Sequence, residues 1–352
     1  MRSIQAFGTQ AADQPLEAMT IERRELRPDD VAIEIDYCGV CHSDLHFARN
    51  DWGWSEYPVI PGHEIIGTVK AVGEKVTAFQ PGDRVGIGCL VDSCRECGSC
   101  DEGLEQYCEQ GWVGTYGGRD RHDGSLTFGG YSEAIVVSDR FVLQIPEKLD
   151  PASAAPLLCA GITTYSPLKH VGVGKGHQVG VIGMGGLGHM GIKFARAMGA
   201  EVTLLTRSKA KAAEAEAQGA HHVLVTTDPG EMEAAAGRFD FLLNTVPVPH
   251  DLNPYLETLK RDGTMIVVGL IDAVEPPVHT APLILKRRSI IGSLIGGLPE
   301  TQEMLDFCAE HDITCDVEMI DLQQINQAYE RLEKGEVKYR FVIDIGNLRR
   351  GG

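Results

Sequence analysis

The stretch Val181-Ile182-Gly183-Met184-Gly185-Gly186-Leu187-Gly188 places G-x-G-x-x-G directly after a short apolar run, His177 to Gly183, and directly before a segment of helical spacing, Leu187 to Met198. In that setting each glycine has a physical task. Gly183 permits a tight turn, Gly185 lets the backbone approach a pyrophosphate, and Gly188 lets the helix pack against the strand. The helix start at Gly186 and Leu187 then offers free N–H groups and the positive end of the helix dipole to phosphate. Glycines at this spacing are weak evidence alone, but between a strand and a helix they predict a dinucleotide site.

The same pattern continues on the C-terminal side. Glu201 to Thr206 is another apolar run, Lys209 to Gln218 is an Ala/Glu-rich helix former, and further runs follow at His221 to Val225, Phe239 to Thr245 and Gly263 to Leu270. Strands separated by helices of this length make βαβ units, so an α/β fold with a doubly wound parallel sheet is expected there. The residues before about 155 read differently. Short alternating runs such as Val31-Ala32-Ile33-Glu34-Ile35 and turns such as Gln80-Pro81-Gly82-Asp83 predict a β-rich first domain. The last stretch shows helical spacing at Glu300 to Glu310 and Leu322 to Gly335. It ends in a strand-like Lys338-Tyr339-Arg340-Phe341-Val342-Ile343-Asp344, expected to return to the first domain. The expected division is therefore residues 1–155 completed by 297–352, with 156–296 as the dinucleotide domain. Arg349 to Gly352 is expected to fray.

Composition removes several function classes. Apolar residues at 43% and charged residues at 23% describe a globular chain rather than a disordered one. With 32 basic against 50 acidic residues the net charge is −18, which repels phosphate backbones and argues against a nucleic-acid partner. No apolar run approaches the roughly 20 residues of a membrane helix, so no membrane partner is expected. The opening Met1-Arg2-Ser3-Ile4-Gln5 lacks a secretory apolar stretch, so a cytoplasmic location is expected.

The end of the second expected strand discriminates between cofactors. NAD enzymes place Asp or Glu about 20 residues past the glycines to hold the ribose 2′-OH. This chain has Thr206 there, followed by Arg207, Ser208, Lys209 and Lys211. A hydroxyl and cations accept a 2′-phosphate that a carboxylate would repel, which predicts NADP(H). The plainer alternative is that Arg207 and Lys211 only solvate a helix start.

Four of the ten cysteines, Cys94, Cys97, Cys100 and Cys108, fall within fifteen residues. Neighbours this close cannot easily form disulfides with one another, whereas thiolates at this spacing wrap a metal. A ferredoxin motif would bring its fourth cysteine after three residues and follow it with Pro. Here the fourth comes after seven and precedes Glu109, so a closed structural zinc site is expected. A second set of soft donors is scattered: Cys41 in Gly39-Val40-Cys41-His42-Ser43-Asp44, His63 and Glu64 in Pro61-Gly62-His63-Glu64, and Cys159 in Leu157-Leu158-Cys159-Ala160. Singly, each has an ordinary packing explanation.

With these residues in view, the chain resembles the medium-chain zinc alcohol dehydrogenases, in the cinnamyl alcohol dehydrogenase branch and its bacterial aldehyde reductase relatives. The family's G-H-E-x2-G-x5-G-x2-V signature appears as Gly62-His63-Glu64, Gly67, Gly73 and Val76. Further matches are Cys41-His42-Ser43-Asp44-Leu45-His46, the four-cysteine lobe, Gly185-Gly186-Leu187-Gly188-His189-Met190-Gly191, and Lys338-Tyr339-Arg340. The resemblance implies a GroES-like β domain carrying both zincs, two per chain, joined to a Rossmann domain through which the protein forms a homodimer. It implies that Cys41, His63 and Cys159 bind the catalytic zinc, with Glu64 as an adjacent carboxylate that either ligates the metal or orients a ligand. Two cysteines and one histidine with an open position is the set already known for alcohol dehydrogenase. It also implies that Ser43 bonds the substrate oxygen and that His46 ends a proton relay, a task for which an imidazole is suited.

The implied reaction is hydride transfer between NADP(H) and a primary alcohol–aldehyde pair. Trp52, Trp54 and Trp112, with Cys89, are candidates to line a pocket for apolar or aryl aldehydes, although core packing would equally account for the tryptophans. Cys38 is read as packing, and Cys308 and Cys315 as ordinary helix and loop residues. Two other functions stay open on the sequence: an NAD(P)-linked zinc polyol dehydrogenase, and a zinc- and NADP(H)-binding redox sensor without turnover.

Overall fold

The structure is a computed structural model that describes residues 2–271 and 273–350. Internal packing divides the chain into two units, one running to Cys159 and resuming at Gly296, the other spanning Ala160–Ile295.

The second unit is built on six parallel strands in the order His222–Val225, Glu201–Thr206, Gln178–Ile182, Phe239–Asn244, Leu259–Val267 and Ser289–Gly292. Counted from Gln178–Ile182, that order is 3-2-1-4-5-6, the doubly wound Rossmann arrangement expected from the run of strands and helices. The three inner strands, Glu201–Thr206, Gln178–Ile182 and Phe239–Asn244, are largely buried, and Ile182, Leu205, Leu224, Phe239, Leu242, Leu259 and Met265 pack into one core. Two boundaries differ from the sequence reading. The predicted helix Lys209 to Gln218 is a 3-10 turn, Lys209–Lys211, followed by a helix only over Ala212–Ala217. The Ser208 hydroxyl accepts from the Ala210 N–H and tightens the first turn. The strand expected at Gly263 to Leu270 begins earlier, at Leu259, because Phe239 pairs with it before a register shift.

Gly188 shows why the first turn needs glycine. A Cβ at this position would strike the backbone carbonyl oxygen of Gly183. The helix Gly186–Ala197 can therefore lie against the end of strand Gln178–Ile182 only without a side chain at Gly188.

The first unit holds a seven-stranded sheet. Val317–Ile320, Arg340–Asp344, Asp30–Val40, Ile65–Val72, Arg84–Ile87 and Leu143–Gln144 lie in that order, and Ala134–Ser138 also pairs with Asp30–Val40. The alternation read at Val31 to Ile35 is present as buried Val31, Ile33 and Ile35. The final strand returns to this sheet, antiparallel to Asp30–Val40. Register gathers chemistry at one end. Cys38 faces Ile65, Ile65 faces Ile87, and Val40 faces Phe341. The end of one strand at Val40, the start of another after Glu64, the end of a third before Cys89 and the start of a fourth at Arg340 therefore share one edge. The chain end departs from expectation: Gly346–Arg350 forms a short helix instead of fraying, while Gly351 and Gly352 lie outside the described residues.

The glycine contact carries a prediction. Gly188→Ala must push the helix off its strand, an overpacking cost of about 1–3 kcal/mol. Thermal unfolding should show the loss, and an unchanged melting temperature would mean that the helix does not need this close approach.

Candidate metal and dinucleotide sites

Cys41 ends the Asp30–Val40 strand and caps the helix His42–Ala48. The cap is reciprocal, with the Asp44 carboxylate accepting from the Cys41 N–H at 2.8 Å. The other oxygen of Asp44 accepts from the Gly62 N–H at 3.0 Å and lies 3.3 Å from His63 Nδ1. One carboxylate thus ties together the two segments that carry Cys41 and His63. Tyr116 places its hydroxyl 3.2 Å from the same Nδ1. Burial, and then the nearby Asp44 charge, hold the Tyr116 phenol well above its ordinary range.

With Nδ1 engaged, Nε2 of His63 is left as a buried atom that has no hydrogen-bond partner among the described residues; both carboxylate oxygens of Glu64 are in the same position. The thiols of Cys41 and Cys159 are 3.9 Å apart, and one donor atom from each of Cys41, His63, Glu64 and Cys159 lies within 4.8 Å of the others. Buried polar atoms are rarely left unpaired. Such atoms on His63 and Glu64, converging with two soft sulfurs, fit a tetrahedral zinc. Within the thiol pair, Cys41 is held well below its ordinary range, first by its hydrogen bond with Cys159. Burial pushes Glu64 up to about 7, against the pull of Arg340, whose guanidinium is 3.7 Å from Glu64 Oε1. Gly39 leaves room for this carboxylate, since a Cβ there would overlap Glu64 Oε2.

The four lobe cysteines also converge, with their sulfurs within 4.8 Å of one another and none in a disulfide. Backbone N–H groups already point at them, from Cys94 to the Cys108 sulfur at 3.3 Å and from Glu109 to the Cys97 sulfur at 3.4 Å. The Glu109 N–H is the first cause that draws Cys97 down to about 7. Thiolates with amide donors and no carboxylate fit a closed zinc site. Arg95, between the first two cysteines, anchors the lobe to Asp92 at 2.9 Å and to Asp29 at 3.6 Å.

In the second unit Gly183 has φ +88°, and a Cβ on Gly185 would meet nothing within 4 Å. The backbone at the start of the helix is therefore open to a bulky anion, as a pyrophosphate cradle requires. Thr206 ends its strand half-buried, and Arg207 and Ser208 follow it exposed. Lys211 donates to the Met184 carbonyl at 3.2 Å, which brings its ammonium to the glycine turn.

The remaining expected site residues separate. Ser43 has its oxygen 3.6 Å from the Cys41 sulfur. His46, one turn further on, bonds Asp51 at 2.7 Å through Nδ1 and lies 5.5 Å from the Trp52 ring. Trp52 and Trp54 form an edge-on pair at 5.5 Å. Trp54 is 62% exposed, and Trp112 is 37% exposed beside Gly114 at the end of the lobe, so neither is core packing. Cys89 places its sulfur 3.8 Å from the Leu158 carbonyl, next to Cys159. Cys308 and Cys315 are buried in a helix and a loop, as read. Sequence reasoning assigned no role to Asp44 or Asp51, met Arg340 only within a matched motif, and counted Tyr116 only among the aromatics near the tryptophans. Only Asp44 carried a local signal, the Cys41-x-x-Asp44 capping pattern before an apolar residue.

Residues 27–147 match the alcohol dehydrogenase GroES-like domain family, and residues 186–310 match the zinc-binding dehydrogenase family. The chain is 56% identical to aldehyde reductase YahK of Escherichia coli, over 97% of this chain and 98% of that protein. Among solved structures it is similar to a cinnamyl alcohol dehydrogenase of Sorghum bicolor, with TM-score 0.94, 43% identity and 98% of each chain covered. It is also similar to a Helicobacter pylori enzyme of the same type solved with NADP(H), with TM-score 0.91, 42% identity and 98% of each chain covered. Matches of this extent on both units, with the two donor clusters in place, show that the chain belongs to the medium-chain zinc-dependent alcohol dehydrogenase family, alongside the cinnamyl alcohol dehydrogenases and bacterial aldehyde reductases.

Proposed function

We propose that this protein transfers hydride between NADP(H) and a primary alcohol–aldehyde pair, reducing apolar or aromatic aldehydes. The observation that carries the reading is the convergence of Cys41, His63, Glu64 and Cys159 donor atoms within 4.8 Å. A zinc ion held by Cys41, His63 and Cys159 would supply a Lewis acid with an open position for the substrate oxygen. NADP(H) would supply the hydride chemistry itself. The rest falls to the chain. Ser43 hydrogen-bonds the substrate oxygen, and His46 passes its proton to and from solvent while Asp51 holds Nδ1. Glu64 stays beside the ligands as a carboxylate balanced by the buried guanidinium of Arg340. Gly183, Gly185, Gly186, Leu187 and Gly188 present backbone to the pyrophosphate, and Thr206, Arg207, Ser208 and Lys211 take the 2′-phosphate. The bound NADP(H) of the Helicobacter relative supports that choice of cofactor. Trp52, Trp54, Cys89 and Trp112 line the aldehyde pocket.

The reading includes a second, structural zinc on Cys94, Cys97, Cys100 and Cys108, giving two per chain. It divides the chain into a catalytic domain, 1–155 with 297–352, and a dinucleotide domain, 156–296. A homodimer through the latter is supported by the outer strand Ser289–Gly292 and by Ile284 and Leu285, which are 76% and 80% exposed. Among the described residues no helix is long and apolar enough to cross a membrane, which is consistent with the proposed place in the cytoplasm.

Cys159→Ala tests the core of the proposal. It should reduce aldehyde turnover to background and remove one zinc per chain, while NADPH still quenches protein fluorescence on binding. Robust turnover by a Cys159→Ala protein would end the proposal. His46→Ala should slow turnover by roughly 10²-fold without loss of zinc. For the cofactor, Thr206→Asp places a carboxylate against the 2′-phosphate. The NADPH-to-NADH ratio of kcat/KM should fall by about 10–100-fold. A starting protein that uses both cofactors equally would defeat the assignment of Thr206.

A further inference from the structure

Both legs of the four-cysteine lobe arrive at the other donor cluster. The stem of the lobe is the antiparallel pair Leu90–Asp92 with Val113–Gly114. Just beyond it Thr115 braces the two legs, its N–H on the Cys89 carbonyl at 3.1 Å and its hydroxyl on the Gly88 carbonyl at 2.5 Å. The next residue is Tyr116, whose hydroxyl reaches His63 Nδ1 at 3.2 Å. The Tyr116 ring stands edge-on to Phe47 at 5.2 Å and tilted to the His63 ring at 5.6 Å, with only 8% of the residue exposed. Cys89, on the entering leg, lies against the Leu158 carbonyl beside Cys159.

We propose that Tyr116 is a positioning residue for His63 and that, being carried on the stem of the lobe, it lets the lobe's metal govern how tightly the Cys41–His63–Cys159 cluster holds its own. This rests on reading both clusters as zinc sites. His63 offers Nε2 to a metal only while its ring is held by Nδ1, and two oxygens face that atom, from Asp44 and from Tyr116. Asp44 is secured by its own helix start and by Gly62. Tyr116 is held on one side by Thr127, which pairs with Gly117 and Gly118, and on the other by the braced stem, which closes on four thiolates whose fold depends on metal. Emptying the lobe therefore loosens one of the two groups that aim His63.

The test follows zinc release to a chromogenic chelator from the folded protein, the two equivalents being separated by rate. Thermal unfolding and NADPH binding report the fold. Tyr116→Phe keeps the ring and removes only the hydroxyl. It should leave unfolding and the lobe zinc in place and release the other equivalent about 10–100-fold faster. Cys100→Ala should accelerate release of that same equivalent, yet add less than about twofold in the Tyr116→Phe background, since both act through one contact. Thr115→Val, which cuts the hydroxyl brace without touching either cluster, should speed release in the same direction and serves if Cys100→Ala does not fold. An unchanged release rate in Tyr116→Phe overturns the proposal. So do effects of Cys100→Ala and Tyr116→Phe that simply multiply. A Cys159→Ala protein with the zinc content of the starting chain would instead show that the underlying site assignment fails, before Tyr116 is at issue.

Discussion

The carboxylate of Asp44 is fully buried and accepts from the backbone N–H of Cys41 and of Gly62, while its oxygens also face His63 Nδ1 and, at 3.4 Å, the Tyr131 hydroxyl. A buried charge is tolerated only when its lone pairs are taken up, and here each is. Hydrogen bonds to a charged group contribute about 1.5–3 kcal/mol each, so this residue fixes the first helix, the Gly62 turn and the histidine ring as one piece. Without it, Cys41 and His63 would sit on two segments joined only by sheet register. Register brings strand ends to within a few ångströms, and the carboxylate supplies the finer placement that a metal with short, directional bonds requires.

Close backbone approach is the matching constraint in both units. Gly39 leaves the volume that Glu64 occupies, and Gly188 lets a helix start against its strand. In each case the absent side chain is what allows a polar group to be presented, a carboxylate beside thiols in one unit and a row of N–H groups in the other. The charges at the first site are balanced within the protein. Arg340 enters from the returning C-terminal strand, donates to the Val40 carbonyl at 3.3 Å and offsets Glu64 and the thiols. The chain's last strand is thereby a structural completion of the sheet and an electrostatic completion of the site.

The parts legible from residues alone were those whose partners are near in sequence. The lobe cysteines lie within fifteen residues, so spacing by itself argued for a metal. The glycine turn, the strand before it and the helix after it are contiguous, so their joint meaning could be read directly. Boundaries were less legible. The Ala/Glu-rich run after Ser208 has strong helix propensity over its whole length, yet the Ser208 hydroxyl shortens it with a tight first turn. The tryptophans were ambiguous because burial of a large ring depends on what packs against it, and Trp54 and Trp112 turn out to be exposed.

Cys41, His63 and Cys159 stood apart in the sequence and were grouped only through a family resemblance; the fold groups them physically, the first two through the pairing of Cys38 with Ile65, and Cys159 through the turn at Leu158, whose carbonyl meets Cys89 beyond the strand that pairs with Ile65. Tyr116 and Arg340 act on groups that only tertiary structure brings near, Tyr116 being 53 residues from His63, whereas Asp44 and Asp51 also serve neighbours three and five residues away that spacing alone did not single out. The sequence by itself determined the local chemistry, namely which donors exist, which turns need glycine and which runs form a parallel sheet, since these depend on neighbours a few residues away. Tertiary structure alone decided which donors meet, how the histidine is aimed and which buried charges cancel, because those interactions fall off within a few ångströms and have no fixed separation along the chain.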